Sequence, residues 1–80
     1  MADRTTTSTV TLDMTRLISL GVAWAILPEG RRASVIRLGN GTWQYTLDAL
    51  TYSSFADSGD AIRDLANRLA NESILLRIRL

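Results

Sequence analysis

Two alternating runs, Ala33-Ser34-Val35-Ile36-Arg37-Leu38 and Thr42-Trp43-Gln44-Tyr45-Thr46-Leu47, flank Gly39-Asn40-Gly41 and constrain the fold more than any other stretch. Period-two alternation on both sides of a turn signal predicts a β-hairpin. Asn-Gly supplies the two positive-φ residues of a type I′ turn, whose twist matches that of the strands it joins. Counting outwards from Asn40 and Gly41, Leu38 is expected to face Trp43, Arg37 to face Gln44, Ile36 to face Tyr45 and Val35 to face Thr46. Side chains alternate across a strand. This register therefore puts Ile36, Leu38, Trp43, Tyr45 and Leu47 on one face and Val35, Arg37, Gln44 and Thr46 on the other. The first face needs a cover, which the rest of the chain must provide.

Met1 to Thr9 is polar and rich in threonine, and is expected to be mobile unless it adds an edge strand. Val10, Leu12 and Met14 alternate with Thr9, Thr11 and Asp13, the pattern of a short strand. Asp13 or Thr15 suits the N-cap of a helical turn or two through Leu20, with Gly21 as its stop. A strand over 22 to 27 is preferred to one continuous helix from Asp13, because Pro28-Glu29-Gly30-Arg31-Arg32 reads as a hairpin loop feeding the next strand. Trp24 is expected in the core, and becomes an exposed anchor only if the Ala23 and Ala25 face packs inward. Ala49 to Ser58 reads as a polar connection held down by Tyr52 and Phe55.

The clearest helix follows. Asp57 suits its N-cap, Asp60 its first turn, and Asp64 pairs with Arg68 one turn on. Ala61, Ile62, Leu65, Ala66, Leu69 and Ala70 form one apolar stripe ending near Asn71. Ile74, Leu76, Ile78 and Leu80 then alternate with Leu75, Arg77 and Arg79, which predicts a final strand whose apolar row completes the face begun by Trp43 and Tyr45. The expectation is one α+β domain over residues 1–80. It has an antiparallel sheet of about four strands with the Asn-Gly hairpin at its centre, one amphipathic helix at 58 to 71 on one face, and a C-terminal strand.

Composition narrows the function classes. Eighty residues lie near the lower end of what buries a self-sufficient core. Cysteine and histidine are absent and all nine basic residues are arginine, a bias that fits GC-rich codon usage. Without His, Cys or Lys the usual general base, thiol nucleophile, Schiff-base amine and soft metal ligands are missing, so no enzyme, cofactor or metal site is expected. Asp57, Asp60 and Asp64 read as a capped, solvated helix start, not a cation loop. The apolar run Leu17 to Leu27 is far shorter than the ~20 residues that span a bilayer, and is read as core of a soluble, cytoplasmic protein.

The arginines offer more. With the expected register and the last strand beside the hairpin, Arg37, Arg77 and Arg79 share the open face with Gln44, Val35 and Leu75, and Arg31 and Arg32 sit at the hairpin end. Such a surface suits an acidic protein or a phosphate backbone, although the net charge of only +1 gives no whole-chain footprint for nucleic acid. Alternation also places polar residues on any open sheet face, so solubilising charge is the bland alternative. The strand Ser73 to Leu80 is β-prone and apolar, a hazardous free edge unless it lies inside the sheet or pairs with a second copy.

Trp43-Gln44-Tyr45, Phe55 and then Asp60-Ala61 opening a helix resemble the three-strands-then-helix pattern of integrase arm-binding DNA domains. The likeness covers less than half the chain, and implies DNA binding. This sequence departs from it in having no lysine and in following the helix with another strand. The leading expectation is a small protein-binding module, an inhibitor or adaptor of the kind phages and mobile elements encode. It would act on a larger host complex through Arg31, Arg32, Arg37, Gln44, Arg77, Arg79, Val35 and Leu75, or through an edge strand. The alternatives are a nucleic-acid-binding module using the same arginines, and a self-assembling subunit, of which a homodimer is the simplest case.

Overall fold

A computed structural model describes residues 7–80; the expectation of a mobile N-terminal segment falls largely on residues 1–6, outside the described residues. In chain order the elements are β1 (Ser8–Asp13), α1 (Met14–Leu20), β2 (Val22–Ile26), a single 3-10 turn (Pro28–Gly30), β3 (Arg32–Arg37), β4 (Trp43–Leu47), β5 (Leu50–Phe55), α2 (Ser58–Ala70) and β6 (Ile74–Arg79). The α+β class is as expected: strands β2-β3-β4-β5 form a four-stranded antiparallel meander. The last strand does not join it. β6 pairs in parallel with β1, Ser8 facing Ile74 and Asp13 facing Arg79, as a separate two-stranded sheet.

The central hairpin exists, but one residue out of the expected register. Arg37 faces Trp43, Ile36 faces Gln44 and Val35 faces Tyr45. The cause is the loop. The Gly41 N–H donates to the Leu38 carbonyl at 3.0 Å and the Leu38 N–H to the Thr42 carbonyl at 2.8 Å, which encloses three residues, with Gly41 alone at positive φ (+87°). This is a type I turn followed by a glycine bulge. Asn40 has a negative φ because its side chain works forward: Oδ1 accepts from the Thr42 backbone N–H at 3.0 Å and from Thr42 Oγ1 at 2.7 Å. A one-residue slip turns a whole strand over. Val35 is therefore in the core, 0% exposed, and Ile36 lies on the open face.

The same inversion reaches β2. Ala23 pairs with Val35 and Ala25 with Ala33, all four buried, so Trp24 projects from the opposite face and is 50% exposed. Small alanines make a shallow inner surface there, and β1 lies beside β2. Ala49 to Ser58 is also more than a connection. It contains β5, entered by a two-residue turn whose first residue, Asp48, has φ +57°. Between Trp43–Phe55 and Tyr45–Tyr52 the pairing of β4 with β5 shifts by one residue, and Ser54 takes φ +74° at that bulge.

The helices form where the caps are. Asp13 Oδ1 accepts from the N–H groups of Thr15 and Arg16 to start α1, and Gly21 ends it at φ +76°, its N–H donating to the Leu17 carbonyl at 2.9 Å. Asp57 Oδ1 accepts from the Asp60 N–H at 2.8 Å to start α2. α2 lays Ala61, Leu65 and Leu69 across the inner face of the meander, against Ala33, Val35, Tyr45 and Leu47. Leu12, Val10, Leu17 and Ile74 close the core from the side of the parallel pair. Each such aliphatic side chain contributes about 1.5–3 kcal/mol by leaving water.

Candidate functional site

The structure disperses the eight residues expected to form one surface. Arg31, half-buried, is already engaged: its Nε and Nη2 donate to Asp48 at 3.0 and 2.8 Å, and its Nη1 donates to Glu72 at 2.7 Å. It thereby staples the loop before β3 to the β4–β5 turn and to the turn after α2. These hydrogen bonds raise the Arg31 pKa and hold the Asp48 carboxyl below its ordinary value. Arg32 and Gln44 project from the open face of the meander. Arg37 is exposed at the opposite end of β3, beside Gly21, on the face that carries Trp43. Val35 is buried and touches no solvent. Only Leu75, Arg77 and Arg79 stay together, on the outer face of β6, with Leu75 55% exposed.

Near α2 a polar network crosses the core boundary. The Tyr45 hydroxyl donates to Asp64 at 2.5 Å and accepts from Arg68 Nε at 2.6 Å. The Arg68 guanidinium lies 3.9 Å over the Tyr52 ring, and the Tyr45 and Tyr52 rings stack at 4.9 Å. Burial first, then the hydrogen bond to Asp64, pushes the Tyr45 phenol up to about 12, so it stays protonated at neutral pH. No buried side-chain N or O atom among the described residues lacks a hydrogen-bond partner, and the network clamps β4, β5 and α2 together. Among the described residues no three His, Cys, Asp or Glu side chains gather as a metal site would require. No helix of the described residues is long and apolar enough to cross a membrane.

Among the described residues one edge of β6 has no strand beside it. The Ser8 N–H donates to the Ser73 carbonyl at 3.1 Å, and a parallel ladder continues this with Leu75, Arg77 and Arg79 bonded to β1. The N–H and C=O groups of Ile74, Leu76 and Ile78 therefore point to the other side, where no described strand pairs with them. Parallel strands are ordinarily buried inside larger sheets, and two strands alone are marginal. Here the free edge is uninterrupted by proline, glycine or a bulge, and Ile78 is 43% exposed on the inner face. An open hollow of about 260 Å³ lies over the β1–β6 pair, lined by Thr11, Arg77, Ile78 and Arg79. That is below the ~300–1,000 Å³ of small-molecule sites and suits one or two side chains.

The sequence marks Ser73 to Leu80 as a hazardous free edge but places Leu75, Arg77 and Arg79 beside the hairpin, whereas they lie beside β1. The even-numbered backbone groups could not be picked out, because they depend on β1 as partner. Compared with protein families, with curated proteins and with solved structures, the chain finds no match.

Proposed function

We propose that this chain is a non-enzymatic protein-binding module that takes an extended segment of its partner onto the β6 edge, as an inhibitor or adaptor of a larger protein. The observation that carries this reading is the row of edge-facing N–H and C=O groups at Ile74, Leu76 and Ile78 on an apolar strand that, among the described residues, has only β1 beside it. Strand addition supplies main-chain hydrogen bonds for affinity and alternate side-chain positions for specificity. A non-enzymatic role is supported by the carboxylates: Asp48, Asp64 and Glu72 are committed to arginines or to Tyr45, and Asp13 and Asp57 cap helices.

Two proline variants test the edge. Ile78→Pro removes an N–H that faces the free side, so the β1 ladder survives and stability changes by about 1 kcal/mol or less. Arg77→Pro removes the N–H that reaches the Val10 carbonyl and costs about 1–3 kcal/mol for the orphaned acceptor. A partner isolated with the wild-type chain is expected to slow amide exchange at Leu76 and Ile78 and to be lost by Ile78→Pro. A partner that leaves both amides exchanging freely and still binds Ile78→Pro overturns the reading.

A further inference from the structure

We infer that the segment received by β6 is acidic: an antiparallel strand in which Asp or Glu alternates with apolar residues. This rests on the strand-addition reading and names its partner's chemistry. Because Leu76 and Ile78 direct their N–H and C=O groups outward, they form the hydrogen-bonded positions of any added antiparallel strand. Leu75, Arg77 and Arg79 then fall at the non-hydrogen-bonded positions, where facing Cα atoms are only about 4.5 Å apart and side chains are closest. Both guanidiniums are exposed, and no described carboxylate lies within ion-pair distance of either. Asp13, which faces Arg79 across the pair, turns its Oδ1 to the start of α1.

The register dictates a pattern. Read from its N-terminus, the incoming strand carries an acidic residue against Arg79, an apolar one against Ile78, an acidic one against Arg77, and apolar residues against Leu76 and Leu75. The acidic side chains come beside the exposed guanidiniums of Arg77 and Arg79 on the outer face. The apolar ones opposite Ile78 and Leu76 extend the inner face where Ile78 is half-exposed. In the register that sets Ile78 opposite Leu76 of a second copy, Arg77 faces Arg77, and like charges directly opposite are destabilising. In that register the two arginines oppose self-pairing, whereas an acidic partner places a carboxylate against each.

Three end-blocked peptides test this: one with the core Glu-Val-Glu-Ile-Val, one with Gln for Glu, and one with Lys for Glu. At low salt the acidic peptide is expected to bind about tenfold more tightly than the Gln peptide, and the Lys peptide more weakly still. The double variant Arg77→Glu, Arg79→Glu, whose changed side chains lie outside the core, is expected to reverse the order. N-methylation of the Val opposite Ile78 should abolish binding. Equal binding of the acidic and Gln peptides overturns the acidic preference and leaves strand addition standing. Failure of all three at millimolar concentration, with the Leu76 and Ile78 amides unchanged, overturns both. A dimer of the chain that Ile78→Pro dissolves makes a second copy the occupant and overturns the acidic segment.

Discussion

β5 and β6 each lie at an outer edge, and they meet the same problem in opposite ways. β5 is polar, Leu50-Thr51-Tyr52-Ser53-Ser54-Phe55, and a bulge at Ser54 twists its edge out of regular pairing. β6 is apolar and regular, and its only guards are Arg77 and Arg79. A bulge refuses every incoming strand, whereas a pair of charges refuses some and admits others. The difference separates a protected edge from a selective one. It tracks the two sheets, since the meander is clamped to α2 through Tyr45, Asp64 and Arg68 while the parallel pair has no comparable polar tie among the described residues.

The largest effect that could break this comparison is in the packing. Leu65, fully buried beneath the meander, should cost about 3–4 kcal/mol on Leu65→Ala, and half-exposed Ile78 about 1 kcal/mol or less on Ile78→Ala, both read from urea unfolding at unchanged slope. Similar losses would mean that both sheets share one depth of core.

Alkaline pH comes next. The folded-state pKa of Tyr45 is raised to about 12 against an ordinary ~10, so its contribution is full below pH 10 and is lost as pH rises towards 12, roughly 2–3 kcal/mol in all. Tyr45→Phe should remove that part of the pH dependence. Amide exchange should accelerate in β4 and β5 of the wild type as the phenol ionises. An unchanged alkaline profile in Tyr45→Phe would show that the clamp does not hold the meander. The smallest effect is at the bulge. Ser54→Gly relieves a positive φ at a side-chain-bearing residue and should gain up to about 1 kcal/mol, while Ser54→Val should lose about that much, in thermal unfolding.

The parts of this fold that the sequence makes legible are those decided within a few residues. Asp57 and Asp60 with the apolar stripe of α2 announce that helix, and Asp13 and Gly21 bracket α1. The hairpin is legible as a hairpin, but its register turns on whether Asn40 adopts positive φ or hydrogen-bonds forward to Thr42, two local options of similar standing. That single choice exchanges Val35 for Ile36. Trp24 is misplaced for a related reason: its size argues for burial, yet the alanine row of β2 fits the space left beside β1. β5 escapes notice because Tyr52 and Phe55 are three residues apart, and the bulge that reconciles their spacing breaks the alternation. The candidate edge is half legible. Leu75, Arg77 and Arg79 stand out as an amphipathic strand, but which backbone groups they leave free depends on a parallel partner at the far end of the chain.

That partnership also orders the events of folding. The meander grows by neighbouring hairpins and needs only short loops to close, whereas Ser8 meets Ile74 only after nearly the whole described chain is in place. Loop-closure entropy makes such distant contacts slow and late. β1 and β6 are therefore expected to have φ-values near zero, to open before the meander, and to lose exchange protection first. A strand bound to β6 would then act on the unfolding rate, since it stabilises the element that forms after the transition state.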